Sequence, residues 1–235
     1  MTIVAVVVAA GRGARMGAAR PKAFLRLGGR SLLRRSVAVF AAHPRIARIV
    51  AVVSDPDEAR ADLGADAAGV VLVRGGAERQ DSVRLGLQAS GEADYVLVHD
   101  AARPLVSRRI IDDVLEAAER TGAAVPAVPV ADTVKRLGPD GTIVETVPRE
   151  DLRLAQTPQA FRADLLRAAY EAAIRDGVRG TDDASLVERI GARVTVVPGS
   201  PRNIKITAPE DLVVAEALLR APGMEEETGG GTARG

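Results

Sequence analysis

The chain has 235 residues, with 32 basic and 31 acidic side chains, no cysteine and 2% aromatic residues. This length allows one α/β domain or two small ones, with enough interior for a sizeable core. The near-neutral charge and the few aromatic rings argue against nucleic-acid binding, and the lack of cysteine excludes disulfides, thiolate metal sites and a cysteine nucleophile. Because no apolar run reaches about 18 residues and the N-terminus lacks the basic segment of a signal peptide, we expect a cytoplasmic protein without membrane contact.

Short runs of β-branched residues alternate along the chain with amphipathic stretches. The runs are apolar throughout, as in a parallel sheet that is covered on both faces. We predict strands over residues 3–8, 49–54, 70–73, 95–99, 123–128 and 193–197. We predict helices over residues 31–41, 81–90, 108–121, 163–176, 182–190 and 209–219, with Ser107 and Thr181 as N-caps. This order predicts a doubly wound, mostly parallel α/β sheet that binds ligands beyond the carboxyl ends of its strands.

Residues 129–152 interrupt the alternation. Two extended runs, 132–137 and 142–147, flank a Gly-Pro-Asp-Gly turn signal, so we predict an inserted β-hairpin. A two-stranded ribbon is only marginally stable alone, so this hairpin is either a local feature of a sheet edge or an arm that packs on a second subunit. We expect residues 1–220 to form one domain and residues 221–235 to form a disordered tail.

The first predicted strand leads into AAGRGARMGAARPK at residues 9–22, which holds three glycines, four basic residues and no acid. Glycines let the backbone approach phosphate closely and expose its N–H groups. The spacing fits neither G-x-G-x-x-G, because Gly17 comes one position late, nor a P-loop, which requires G-K-[ST]. We therefore expect a triphosphate site in which side-chain cations neutralise charge; a glycine-rich turn with solvated arginines is the alternative.

This stretch resembles the signature loop of the sugar-phosphate nucleotidyltransferases. Further motifs are DSV at 81–83, VHDAARP at 98–104, DTVK at 132–135, QTPQAF at 156–161, TDDAS at 181–185 and NIKIT at 203–207. Together they resemble the 2-C-methyl-D-erythritol 4-phosphate cytidylyltransferase family over residues 3–219. The resemblance implies a Rossmann-like nucleotidyltransferase fold and transfer of CMP from CTP to methylerythritol phosphate in the non-mevalonate isoprenoid pathway.

Three other functions are alternatives to this one. A ribitol 5-phosphate cytidylyltransferase shares the loop and the TPQ-type motif and is the main alternative. A catalytically inactive sugar-nucleotide-binding regulator would have no need for the cations of the site. An NAD-dependent dehydrogenase is disfavoured by the glycine spacing.

The resemblance also assigns site residues. The implied catalytic residues are Arg15 and Lys22, at the α-phosphate of CTP, and Arg149 and Lys205, at the sugar phosphate. The implied CTP-binding residues are Ala9, Ala10, Gly11, Gly13, Lys22, Gly75, Gly76 and Ser82. The implied substrate-binding residues are Asp100, Arg103, Thr133, Arg149, Thr157, Thr181 and Lys205. Mg²⁺ is the implied cofactor, held mainly by the CTP phosphates, with Asp100 as a candidate ligand.

In the family, the arm at residues 129–152 crosses to a partner subunit, so the resemblance implies a homodimer with a shared pocket. The chain departs from the family pattern at Val8, where proline is frequent, and at Ala77, where aspartate is frequent. From the residues themselves we expect His99 to be a structural hydrogen-bonding residue and His43 to lie at the surface. The acids Asp182 and Asp183 could either complement a helix dipole or take part in function.

Overall fold

The computed structural model describes residues 1–11 and 21–221, so the predictions for Gly13, Arg15 and the tail beyond residue 221 lie outside the described residues. The strands are β1 (Ile3–Ala9), β2 (Arg26–Leu27), β3 (Arg30–Ser31), β4 (Arg48–Val53), β5 (Val70–Arg74), β6 (Tyr95–Asp100), β7 (Ala123–Pro129), β8 (Val134–Leu137), β9 (Ile143–Val147), β10 (Arg153–Ala155), β11 (Gln159–Arg162) and β12 (Thr195–Pro198). The helices are α1 (Leu32–Ala41), α2 (Pro56–Leu63), α3 (Arg79–Ala89), α4 (Arg108–Thr121), α5 (Ala163–Arg175), α6 (Asp183–Arg189) and α7 (Pro209–Arg220).

A sheet of eight strands forms the centre of the molecule. Strands β6, β1, β4 and β5 lie side by side in that order and pair in parallel. Strand β11 lies between β6 and β7 and is antiparallel to both, while β10 pairs antiparallel and β12 parallel with β7. The predicted doubly wound, mostly parallel α/β fold is confirmed, with an antiparallel segment that the sequence did not predict.

Both faces of this sheet are buried, as the continuous apolar runs predicted. Val4 and Val6 of β1 pack in a cluster with residues of α3, α5 and α6. Ala5 and Val7 of the same strand belong to a cluster on the opposite face, with residues of α1, α2 and α4. Since successive residues of a strand point to opposite faces, a strand covered on both sides must be apolar throughout.

The predicted helices are all present with ends within two residues of the prediction, and α2 is an additional one. Ser107 caps α4 as predicted, because its hydroxyl accepts the N–H of Ile110. The prediction for Thr181 is wrong: Asp182 caps α6, its carboxylate accepting the N–H of Ser185 at 2.9 Å. An aspartate satisfies the first-turn N–H groups as a threonine would, which displaces the cap by one residue. None of the helices described here has the length and apolar character to span a membrane.

Strands β8 and β9 form the predicted hairpin as a separate two-stranded sheet. Its turn uses Gly141 at a φ of +80°, a conformation that favours glycine. The apolar side chains of Leu137, Ile143 and Val144 are 58%, 60% and 61% exposed. The ribbon therefore presents apolar surface to solvent in the single chain.

The prediction that His43 lies at the surface is wrong. Its side chain is buried, and Nε2 lies 3.0 Å from a carboxylate oxygen of Asp112 on α4. Burial lowers the pKa of His43 despite this carboxylate. The turn that follows α1 is thus anchored to α4, a tertiary contact between residues 69 positions apart that local sequence does not show.

Candidate active site

A cavity of about 470 Å³ opens at the carboxyl ends of β1 and β6. Its lining comes from the segments after these two strands, from the turn between β5 and α3, and from the segment before α7. Of the predicted site residues, Ala9, Ala10, Gly11, Lys22, Gly76, Ser82, Asp100 and Lys205 line it. The cavity thus lies at the edge where a doubly wound sheet binds its ligands.

Small residues form one wall of this cavity. A Cβ atom added at Gly75 would lie 2.2 Å from Cβ of Ala10 and 2.9 Å from Oγ of Ser82. The Ser82 hydroxyl accepts the N–H of Gly76 at 3.1 Å and donates to the carbonyl oxygen of Glu78. Close approach of the two segments therefore requires glycine at position 75, and this packing brings Gly75 against both Ala10 and Ser82.

Two lysines approach the cavity from different parts of the chain. The ammonium group of Lys22 donates to the carbonyl oxygen of Ile206 at 2.8 Å, and that of Lys205 donates to Asp100 at 2.6 Å. The segment that carries Lys205 is held by Asp211 in the first turn of α7, whose carboxylate accepts the N–H groups of Thr207 and Ala208. The two cations are therefore placed by backbone contacts as well as by charge.

Asp100, at the end of β6, is the buried carboxylate of the described cavity lining; Glu78, which also lines the cavity, is exposed. The side chain of Asp100 is 10% exposed and accepts from Lys205 on one oxygen and from Nε of Arg79, at 2.9 Å, on the other. Burial alone would raise the pKa of Asp100, but Arg79 and Lys205 outweigh burial and hold that pKa well below its ordinary value. Asp100 is thus an anion at neutral pH.

Sequence reasoning did not identify Arg79, which lines the cavity. Its two terminal nitrogens donate to both oxygens of Asp183, at 3.2 and 2.7 Å, and the hydroxyl of Tyr170 donates to the same carboxylate at 2.5 Å. Asp183 is fully buried, so it is the partner of an ion pair rather than a solvated helix acid. A buried carboxylate needs a cation, but the sequence does not show which of 32 basic residues supplies it.

Thr157 and His99 lie beneath Asp100 rather than at the cavity surface. Nε2 of His99 lies 3.2 Å from the carbonyl oxygen of Arg103, and its Nδ1 lies 3.1 Å from the hydroxyl of Thr157. Burial lowers the pKa of His99 to about 4, so the ring is neutral at neutral pH. Nε2 must donate to the carbonyl, and Nδ1 then accepts from the threonine hydroxyl. That hydroxyl also accepts the N–H of Asp100 at 3.0 Å, so the structural role expected of His99 is confirmed.

Other predicted substrate-binding residues lie outside the part of the cavity lining that the structure describes. Arg103 is half-buried and donates to the carbonyl oxygens of Asn203 and Ala155, at 2.7 and 3.4 Å. Thr181 is exposed just before α6. Thr133 and Arg149 are exposed at the base of the hairpin, and Arg149 donates to the carbonyl oxygen of Ala131. None of these four side chains lines the described part of the cavity, although Arg103 is close enough to Asp100 for the two charges to interact.

Comparison with known proteins gives a consistent result. Residues 3–221 match the family described as IspD: 2-C-methyl-D-erythritol 4-phosphate cytidylyltransferase. The protein of that name from Syntrophotalea carbinolica is 47% identical, with 95% of this chain and 98% of the relative covered. Its counterpart from Symbiobacterium thermophilum is 48% identical, with 91% of each chain covered.

Solved structures agree. The 2-C-methyl-D-erythritol 4-phosphate cytidylyltransferase of Thermus thermophilus superimposes with a TM-score of 0.80 at 43% identity, over 94% of this chain and 100% of that one. The 4-diphosphocytidyl-2C-methyl-D-erythritol synthase of Anaerococcus prevotii gives a TM-score of 0.82 at 30% identity, over 94% and 99% of the two chains. The resemblance read from the sequence motifs is confirmed, and the chain belongs to the 2-C-methyl-D-erythritol 4-phosphate cytidylyltransferase family.

Proposed function

We propose that this chain transfers the cytidylyl group of CTP to 2-C-methyl-D-erythritol 4-phosphate at the cavity between β1 and β6. One observation carries the assignment of the site. The sequence contains three lysines, and two of them, Lys22 and Lys205, meet at this cavity together with the buried anion Asp100. A site built from cations around a nucleotide-sized cavity suits an enzyme that brings two anions together.

The reaction needs little proton transfer from the protein. A phosphate oxygen of the sugar phosphate forms a bond to the α-phosphorus of CTP, and the bond from that phosphorus to the β-phosphate oxygen breaks, releasing pyrophosphate with the electron pair. A phosphomonoester has its second pKa near 6, so the attacking group is largely dianionic at neutral pH and needs no general base. Catalysis is then positioning and charge neutralisation.

In this proposal, the nucleotide lies along the wall of small residues. The CTP-binding positions are Ala9, Ala10, Gly11, Gly13, Gly75, Gly76 and Ser82. Lys22 and Arg15 neutralise charge at the α-phosphate as the phosphorus becomes five-coordinate. The contact of Lys22 with the carbonyl oxygen of Ile206 supports this role, because it holds the ammonium group next to Lys205 and Thr207, which also line the cavity.

The sugar phosphate takes the opposite side. Lys205 and Arg103 bind its phosphate, Asp100 binds its hydroxyls, and Thr157 and Thr181 complete the pocket, Thr157 through Asp100. Asp100 is the only carboxylate we assign to the site, and it suits a single bond to a Mg²⁺ shell held mainly by the triphosphate. Bound Mg²⁺ would supply charge neutralisation to the phosphates.

The hairpin supplies the remaining contacts from a second subunit. We propose that residues 129–152 are a dimerisation arm on a catalytic domain of residues 1–220, and that Thr133 and Arg149 reach the partner's cavity. The exposure of Leu137, Ile143 and Val144 supports this, because a marginal ribbon with apolar side chains gains stability by packing on another surface. A reciprocal arm exchange closes as a twofold dimer. We place the reaction in the cytoplasm, as the sequence led us to expect.

The test is direct. The purified protein is given CTP and Mg²⁺ with either 2-C-methyl-D-erythritol 4-phosphate or ribitol 5-phosphate, and pyrophosphate release is measured. We expect release with the first acceptor and at least a hundredfold less with the second. Equal or greater release with ribitol 5-phosphate would favour the alternative, and no release with either acceptor would overturn the proposed activity.

A further inference from the structure

A hydrogen-bonded network of three buried or half-buried side chains lies behind the cavity: Tyr170 on α5, Asp183 on α6 and Arg79 on α3. Together these residues connect the helices on one face of the sheet to Asp100. We refer to Tyr170, Asp183 and Arg79 as the buried network. The roles assigned above to the cavity residues leave it unused.

The buried network fixes the orientation of the Arg79 guanidinium group. Arg79 donates from both terminal nitrogens to Asp183 and from Nε to Asp100. The paired contact with Asp183 sets the plane of the guanidinium group, and the direction of Nε follows from that plane. The hydroxyl of Tyr170 occupies Oδ1 of Asp183 as well, so the fully buried carboxylate has partners on both oxygens.

The two cations that share Asp100 differ in how they are held. Lys205 has a side chain 40% exposed and donates to Asp100, whereas Arg79 is bound to two carboxylates. Moving Arg79 away would leave the buried Asp183 without its counter-ion, which is strongly unfavourable. Moving Lys205 away leaves Asp100 still paired with Arg79. The exchangeable partner of Asp100 is therefore Lys205.

We propose that Arg79, held by Asp183 and Tyr170, is a positioning residue that stays paired with Asp100 and thereby frees Lys205 to bind the substrate phosphate. This inference rests on the proposed function, because it assigns a phosphate to Lys205. Without Arg79, Lys205 would be the one cation among the described residues that donates to the Asp100 carboxylate, and Asp100 would hold it more strongly. The substrate phosphate would then have to compete with Asp100 for the ammonium group.

The test compares Arg79→Gln, Asp183→Asn and Tyr170→Phe with Arg109→Gln, a matched change at an arginine whose side chain is 84% exposed on α4 and pairs with Asp113. We expect the KM for the sugar phosphate to rise about tenfold or more in Arg79→Gln and Asp183→Asn. The KM for CTP should change by less than threefold. Tyr170→Phe should shift the first KM in the same direction by about twofold, and Arg109→Gln should leave both unchanged.

A second measurement does not depend on turnover. Inorganic phosphate binding is measured by calorimetry on the same proteins, and we expect Arg79→Gln to weaken it at least threefold relative to Arg109→Gln.

Circular dichroism and thermal unfolding report whether each variant is folded, and Tyr170→Phe, which keeps the ring, serves if Asp183→Asn does not fold. If the wild-type protein releases no pyrophosphate, the proposed function fails, and phosphate binding still decides this inference. A folded Arg79→Gln protein with wild-type KM and wild-type phosphate affinity would overturn the inference. Arg79 would then have only the structural role of linking α3 to α6.

Discussion

The ammonium group of Lys22 lies 2.8 Å from the carbonyl oxygen of Ile206, although the two residues are 184 positions apart in the chain. The contact joins the segment after β1 to the segment before α7, directly beside Lys205. Each of these segments is placed by a different part of the core, so the distance between the two ammonium groups is set by the fold rather than by either loop alone.

Lys22→Ala should reduce kcat far more than it raises the KM for CTP. In the proposed reaction the charge of Lys22 matters most when the α-phosphorus becomes five-coordinate, so its loss would remove stabilisation of the transition state. We expect kcat to fall on the order of 10² to 10³, measured by pyrophosphate release. Arg30→Ala, which removes an exposed cation from β3, is the control. Similar, small changes in kcat and KM would mean that Lys22 is a solvated loop cation.

Gly75→Ala should raise the KM for CTP about tenfold or more. The added Cβ would lie 2.2 Å from Cβ of Ala10, so the turn before α3 must move away from the segment after β1. The double change Gly75→Ala with Ala10→Gly removes the nearer clash and should recover part of the affinity. A Gly75→Ala protein with wild-type KM would show that this wall does not contact the nucleotide.

The free energy of unfolding should fall as the pH drops from about 6.5 to 4. Burial lowers the pKa of His99 to about 4 in the folded protein, while the unfolded chain has a value near 6.5. Below pH 6.5 the unfolded state binds a proton that the folded state does not, which favours unfolding by up to about 3 kcal/mol near pH 4. Urea unfolding at pH 7, 5.5 and 4.5 measures the change.

His99→Gln is the comparison for this measurement. It removes the titrating ring but keeps a side chain that can donate and accept, so its stability should depend less on pH than that of the wild type. The contribution of His43, whose pKa is also lowered by burial, is present in both proteins and cancels in the difference. Parallel pH profiles for the two proteins would contradict the assignment to His99.

Mixing two inactive variants tests the arm. Arg149→Ala and Lys22→Ala each remove one predicted contribution to the site. If the arm crosses, a heterodimer contains one site with both residues intact. Random exchange makes about half of the dimers heterodimers, so activity should return to about a quarter of the wild-type value. No recovery after subunit exchange, verified by mass, would show that Arg149 serves its own chain.

The main elements were predictable because their signals are local. Strand β1 is apolar from Ile3 to Val8, and this continuity alone implies two covered faces. The glycines and cations after β1 likewise stand together in the sequence. The hairpin was predictable from its Gly-Pro-Asp-Gly turn signal. In the structure, Gly141 of this turn adopts a positive φ.

The features of the fold and the site that were not predicted depend on contacts between residues that lie far apart in the sequence. Arg79 and Asp183 pair across 104 positions, and His43 and Asp112 across 69, so neither pairing leaves a periodic pattern. Strand β11 has four residues, too few for a periodicity, and its place between β6 and β7 is decided by tertiary packing. Helix α2 buries Ala59 and Leu63, and its otherwise polar composition gave no amphipathic signal.

The insertion of β11 between β6 and β7 has a consequence for how the chain is made. Strands β1, β4, β5 and β6 are complete once Asp100 has been synthesised, yet the outer edge of β6 meets its partner only when residues 159–162 emerge from the ribosome. Over that interval of about sixty residues, which lasts several seconds at typical rates of synthesis, an apolar strand with unpaired backbone groups stands at the edge of a growing sheet. Such edges recruit other strands, so nascent chains stalled in this interval are the ones most exposed to aggregation.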